Sequence, residues 1–261
     1  MNGDFYLFLA RHAAVFALVL LRVGFFVAFL PVFGSRMVPL QVKAGVALLL
    51  ALIFTPLVAE KTDFPQNIWQ FLLLAFPEAL LGMTLAFLVR LILAGIQFGG
   101  QLLGFQMGFG VANVIDPATG LQAPVLSQVA YLIALLLFLV FDMHHYFLLG
   151  LGESFKLLPP GELGIKASVF KFFLQKGEII FVVGLKVLAP VMAILLLVQI
   201  ALGIVSRFVP QINVMIVSFP LTIGIGFFFF GLTLEILAEV LRPAYGEAVR
   251  LMPFIIQFFR G

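Results

Sequence analysis

The sequence predicts an all-α membrane protein of about six hydrophobic helical segments, with kinked or broken helices and a central glycine-rich loop. Three observations lead there. Of the 261 residues, 63% are hydrophobic and 10% charged, and the mean hydropathy is +1.21; soluble domains carry about a quarter charged residues. The apolar residues are gathered into runs close to the ~20 residues that cross a bilayer. Between two such runs lies GGQLLGFQMGFGVANVIDPATGLQAPV, rich in glycine and free of lysine and arginine. Helices suit the runs because they satisfy their own backbone polar groups, which lipid cannot do.

The first run, 5–30, ends at Pro31 and the Gly34-Ser35 turn. It lacks a basic stretch ahead of its apolar part and is interrupted by Arg22, so it reads as a retained helix and not a secretory signal. The second, 42–58, follows Pro39; the third, 68–93, follows a polar link at 60–66. After the glycine-rich stretch comes 126–151, then a connector with the Pro159-Pro160-Gly161 breaker. Runs 178–205 and 214–237 precede a tail containing Glu239, Arg242, Glu247, Arg250 and Arg260. Pro77, Pro190 and Pro220 fall near the starts of runs and predict kinks or breaks there.

Basic residues orient the spans. Arg36, Lys43 and Arg207 fall on one side; Arg11, Lys61, Lys156, Lys166, Lys171, Lys176, Arg242, Arg250 and Arg260 fall on the other. Both termini are therefore expected in the cytoplasm. The net charge of +3 comes from scattered residues that form no phosphate-binding stripe, so no nucleic-acid partner is expected. Zero cysteines exclude disulfides and thiolate metal sites. No nucleotide-binding loop, nucleophile elbow or H-E-x-x-H pattern occurs. No enzyme, cofactor or metal is expected. Asp142-Met143-His144-His145 is the nearest approach to a metal motif, but adjacent histidines point to different helix faces, which favours a structural or hydrogen-bonding role.

Arg22, Glu78, Arg90, Asp142 and Lys186 lie within or beside apolar runs. A charge at the bilayer centre costs about 2.5–3.5 kcal/mol on the insertion scale, so these residues need water or protein partners. Arg90 and Asp142 also fit snorkelling from helix ends. Arg22, Glu78, Arg90 and Lys186 are the candidates for buried or inter-subunit ion pairing. Arg22 and Lys186 are the deeper ones, for which pairing across subunits is favoured over a proton relay.

In the central stretch, Gly100, Gly104 and Gly108 recur every fourth residue, and Gly95 and Gly99 share the interval. Such spacing forms a smooth seam for close helix approach. Beyond Gly104 a second reading gains weight. Gly108, Gly110, Asn113, Asp116-Pro117, Gly120 and Pro124 should end a helix, yet Phe105, Met107, Phe109, Val111, Val114 and Ile115 suit no solvated loop. Irregular apolar backbone at membrane depth survives only inside protein or along a cavity. A deformable obstruction satisfies both conditions: glycine lends freedom, methionine a yielding seal.

GFQMGFGVANVIDPATG resembles the signature loop of the FliR family of flagellar export-gate proteins and their injectisome relatives of the SpaR type. FDMHHYFLLGLGESFKLLPPG, LAPVMAILLLVQIALGIVSRFVPQINVMIVSFPLTIGIGF and the spacing Arg22…Pro31-Val32-Phe33-Gly34…Pro39 are similar to that family too. The match departs at Met215, where a phenylalanine is expected. The resemblance implies stacked helical hairpins in a single unit, 1–261. Within it, about 1–150 would be a FliP-like portion carrying a plug loop at 104–120, and about 151–261 a FliQ-like portion with the tail. It implies one copy in a hetero-oligomeric gate with FliP and FliQ in the bacterial inner membrane at the flagellar basal body, with FlhB and FlhA as neighbours and unfolded export substrates as cargo. The plug would comprise Gly104, Phe105, Gln106, Met107, Gly108, Phe109, Gly110, Val111, Ala112, Asn113, Val114, Ile115, Asp116, Pro117, Ala118, Thr119 and Gly120. The rival reading is a small secondary transporter with a broken-helix substrate site; such a site should cluster charges, and Asp116 stands alone.

Overall fold

The computed structural model describes residues 2–34, 38–59, 67–109, 125–162, 164, 166–209 and 214–260. Every regular element among them is helical: α1 (Asn2–Phe29), α2 (Pro31–Gly34), α3 (Leu40–Val58), α4 (Ile68–Gln106), α5 (Val125–Val140), α6 (Met143–Leu157), α7 (Ala167–Lys176), α8 (Glu178–Phe208) and α9 (Val214–Phe258). Among the described residues, five stretches are long and apolar enough to cross a membrane, and a sixth is if the bent pair α5–α6 counts as one span. The protein is an all-α membrane protein; each expected run is found as a helix except 126–151, which is divided between α5 and α6.

Local chemistry sets the ends. Asn67 Oδ1 accepts the Gln70 N–H at 2.8 Å, capping the first turn of α4. Leu158, ahead of Pro159, leaves helical geometry at φ −140° and ψ 96°, and Val209, ahead of Pro210, does the same, because a following proline disfavours α backbone. Pro77 and Pro190 sit inside continuous helices, as does Pro220 within α9. Each removes a single donor that membrane helices tolerate. The break lies instead at Asp142, whose φ is +54° and where α5 and α6 meet at a bend of 65°. Hydroxyls in the apolar helices bond their own helix: Thr55 donates to Ala51 O at 2.7 Å and Thr84 to Leu80 O at 2.6 Å.

The chain forms two compact units, each discontinuous in sequence. The first comprises 1–90, 142–176 and 245–261. Its core gathers Leu18, Val23 and Phe26 of α1, Leu81 and Leu85 of α4, Phe147 of α6 and Tyr245 of α9, none of them solvent-exposed. Gly82 permits α4 to lie directly against the Arg22 carbonyl of α1. Helix α3 turns Leu49, Leu52, Ile53 and Leu57 outward, an apolar surface of the kind that lipid or a partner covers.

The second unit comprises 91–141 and 177–244. Here the glycine seam is visible. A Cβ on Gly99 would stand 2.7 Å from the Gly184 carbonyl oxygen of α8, and one on Gly95 2.8 Å from that of Ile180. On α5, a Cβ on Gly100 would stand 2.6 Å from Ser127 Cα. The obstacles are backbone, which cannot rotate away. Gly99→Leu is therefore expected to destabilise the detergent-solubilised chain by about 1–3 kcal/mol or more. Gly203→Ala, where an added Cβ meets nothing within 4 Å, should be neutral or stabilising by up to about 1 kcal/mol. Paired thermal unfolding curves check both; equal midpoints for the two variants would dismiss the seam.

Candidate functional site

The described part of the glycine-rich stretch begins as helix. Gly104, Phe105 and Gln106 complete α4, so these three positions, read from sequence as loop, are helical. Gly110, Val111, Ala112, Asn113, Val114, Ile115, Asp116, Pro117, Ala118, Thr119 and Gly120 lie outside the described residues, as does the Pro210-Gln211-Ile212-Asn213 turn. The geometry of the root, 106–109, is specific. Met107 N–H still bonds Leu103 O at 3.0 Å, while Gly108 N–H bonds Phe105 O at 3.1 Å, which tightens the last turn. Gly108 then takes φ +95°, a conformation that glycine adopts without the Cβ penalty of other residues.

Helices α8 and α9 hold this root. Met107 is fully buried, in a slot that Gly226 leaves open: a Cβ there would come within 2.7 Å of the methionine Cγ, Sδ and Cε. Thr222 Oγ1 lies 3.1 Å from Met107 O and 2.9 Å from Ser218 O, sharing its single proton between its own helix and the root. Gln199 Nε2 donates to Gln106 O at 3.0 Å. Phe219 packs on Gly108, whose missing Cβ would otherwise strike its ring, and Phe109 meets Phe227 edge-on at 6.2 Å between centroids. Thr222 and Gly226 escaped the sequence reading. Their signal was the glycine pair 224/226 in an otherwise bulky run, the small-residue half of a contact whose large half is Met107.

The ionisable residues fall into different settings. Arg22 and Glu78 form a fully buried pair, Nε to Oε2 at 2.6 Å. Arg22 Nη1 also donates to Ser154 Oγ at 3.3 Å and Leu158 O at 3.1 Å, and its guanidinium stacks over Phe155 at 4.3 Å. Glu78 Oε1 accepts the Gly161 N–H at 3.0 Å. One network thus joins α1, α4, α6 and the diproline turn within the first unit. Arg22 finds its carboxylate inside its own chain, where the sequence reading favoured a neighbouring subunit; the two residues stand 56 apart in sequence, so periodicity does not reveal the match. Arg22 Nη2 has no hydrogen-bond partner among the described residues.

Arg90 donates from Nε to Phe29 O at 2.6 Å and from Nη2 to Ala28 O at 3.1 Å, and lies over the Phe29 ring at 4.9 Å. It caps the C-terminus of α1, where open carbonyls and the helix dipole favour a cation. Lys186 is exposed on α8 and makes no ion pair among the described residues. Its neighbours Val182 and Leu185 are each 44% exposed, so an isolated cation stands on an open apolar face. At the α5–α6 break, one ligand-type atom each from Asp142, His144 and His145 lie within 4.8 Å of one another.

The sequence matches a known family and several relatives. The family described as bacterial export proteins, family 1, matches residues 13–248. The chain is 36% identical over 240 residues to the flagellar biosynthetic protein FliR of Bacillus subtilis (strain 168), covering 91% of this chain and 92% of that protein. It is 31% identical to the FliR of Escherichia coli (strain K12), over 91% and 90% of the two chains. With the FliR of Aquifex aeolicus (strain VF5) it shares 26% over 92% and 93%.

Proposed function

Since this chain belongs to family 1 of the bacterial export proteins, we propose that it is the FliR-type subunit of a type III export gate that it forms with FliP and FliQ. Its relatives and its apolar helices mark it as a membrane-embedded component of flagellar protein export. One copy of this chain joins FliP and FliQ around a conduit for unfolded flagellar proteins, in the inner membrane, with both termini cytoplasmic and FlhB and FlhA adjacent. The halves 1–150 and 151–261 correspond in this reading to FliP-like and FliQ-like portions. The segment that follows Gly108 closes the conduit until a substrate pushes it aside. The chain contributes a closure and no catalysis of its own.

The observation that carries this reading is the root of the segment. Helix α4 ends at Gln106, Met107 is locked beneath α9, and the backbone turns at Gly108 through a positive φ into a largely apolar stretch whose single charge before Val125 is Asp116. A firm anchor followed by a glycine-rich apolar segment suits a plug that moves and returns. The open faces of α3 and α8, with Lys186 making no ion pair among the described residues, suit a chain that is covered by partner subunits. Mild detergent extraction of a tagged chain tests the assembly. It should bring down FliP-like and FliQ-like chains in a complex holding one copy of this protein; recovery of a lone monomer that binds a small solute would favour a transporter.

A further inference from the structure

We infer that Asp142, His144 and His145 form an open binding site for a borderline divalent transition-metal ion such as Zn2+. The local fold assembles it. Helix α5 stops at Val140, α6 starts at Met143, and Asp142 takes the N-cap position with φ +54° and ψ 23°. An N-cap carboxylate ordinarily accepts a hydrogen bond from the first turn; that of Asp142 makes no such bond. It turns instead toward His145, Oδ1 to Nδ1 at 3.6 Å. The imidazoles of His144 and His145 lie 4.2 Å apart between centroids. Although adjacent residues of a helix diverge, both rings here start from its first turn and are met by a carboxylate from the residue before it.

The spacing and the donor types fit such an ion. Metal–ligand bonds of about 2.0–2.2 Å place neighbouring tetrahedral ligands about 3.4 Å apart, close to the Asp142–His145 separation. The three ligand atoms lie within 4.8 Å, and Asp142 and His145, each with a side chain 67% exposed, can rotate to close the remaining distance. Two imidazoles with one carboxylate favour zinc, nickel or copper over magnesium or calcium. Three protein ligands leave a coordination position for water. An exposed Asp–His pair by itself contributes little, and His144 adds an imidazole with unused capacity: its Nδ1 is a buried atom without a hydrogen-bond partner among the described residues. A bound ion would pin the left-handed turn at Asp142. The inference is independent of the export-gate reading.

The test uses the full chain in detergent, purified through a histidine-free tag and stripped with chelator, with zinc itself as the titrant. Calorimetry should show one equivalent bound. Asp142→Asn, His144→Gln and His145→Gln should each weaken it by at least about tenfold, whereas His12→Gln should leave it unchanged. A mass-spectrometric readout on the unaltered protein needs no variant to fold: zinc should shield His144 and His145, but not His12, from carbethoxylation. Binding by the unaltered chain no tighter than by His144→Gln, or equal modification of all three histidines with and without zinc, would overturn the site.

Discussion

Cells carrying the assembled gate with residues 110–115 deleted should leak small ions, while cells with the intact chain should not. The deletion is placed beyond Gly108 for a structural reason. Met107 belongs to the packing of α4 against α9, and its removal would disturb the subunit as well as the closure. Starting at Gly110 keeps the Met107–Thr222 contact at 3.1 Å and the Phe109–Phe227 pair in place, so that a leak reports the missing segment alone. The ion current across membranes containing the purified complex should rise well above that of the intact complex. An unchanged current, from a complex of normal composition, would mean that the segment seals nothing.

The second large effect concerns stability. Replacing Glu78 with alanine should destabilise the first unit by about 3–5 kcal/mol, because it strands a buried guanidinium without its counter-charge. Arg22 would keep Ser154 and Leu158 as acceptors, and the Gly161 N–H would lose its own. Arg22→Met should be comparably damaging through the stranded carboxylate. The double variant Arg22→Met/Glu78→Leu should recover part of the loss, since two apolar side chains of similar volume replace the pair without leaving a charge behind. Thermal unfolding of the three variants in detergent measures this. Additive losses in the double variant would show that the two residues act independently despite their 2.6 Å contact.

Most of the fold was legible because hydrophobic runs report helices directly, and each of the six runs corresponds to one helix or to a bent pair. Two extensions were not. Helix α4 continues from 93 to Gln106 through Gly95, Gly99 and Gly100, residues of poor helix propensity. They stay helical because Gly184, Ile180 and Ser127 approach at backbone distance, a gain that single-residue propensity does not contain. Helix α9 continues past 237 to Phe258 through a charged tail. Its buried residues Tyr245, Ala248, Met252 and Ile255 recur at spacings of three and four, so the amphipathic signal was present but masked by Glu247 and Arg250 between them. The ion-pairing residues were identifiable by type, as charges in apolar runs, whereas their partners depended on tertiary proximity. Arg90 shows the difference: a cation that reads as snorkelling or pairing is in fact a helix cap.

The central claim is that the apolar stretch after Gly108 lines the path of the exported chain, sheltered from lipid and from bulk water. Because the protein has no native cysteine, Val114→Cys carrying a photo-crosslinker gives a single reporter. With an export substrate stalled in transit, the account predicts a crosslink between position 114 and the substrate, and its loss when the substrate is absent. Crosslinks to lipid alone, unaltered by a stalled substrate, would contradict it.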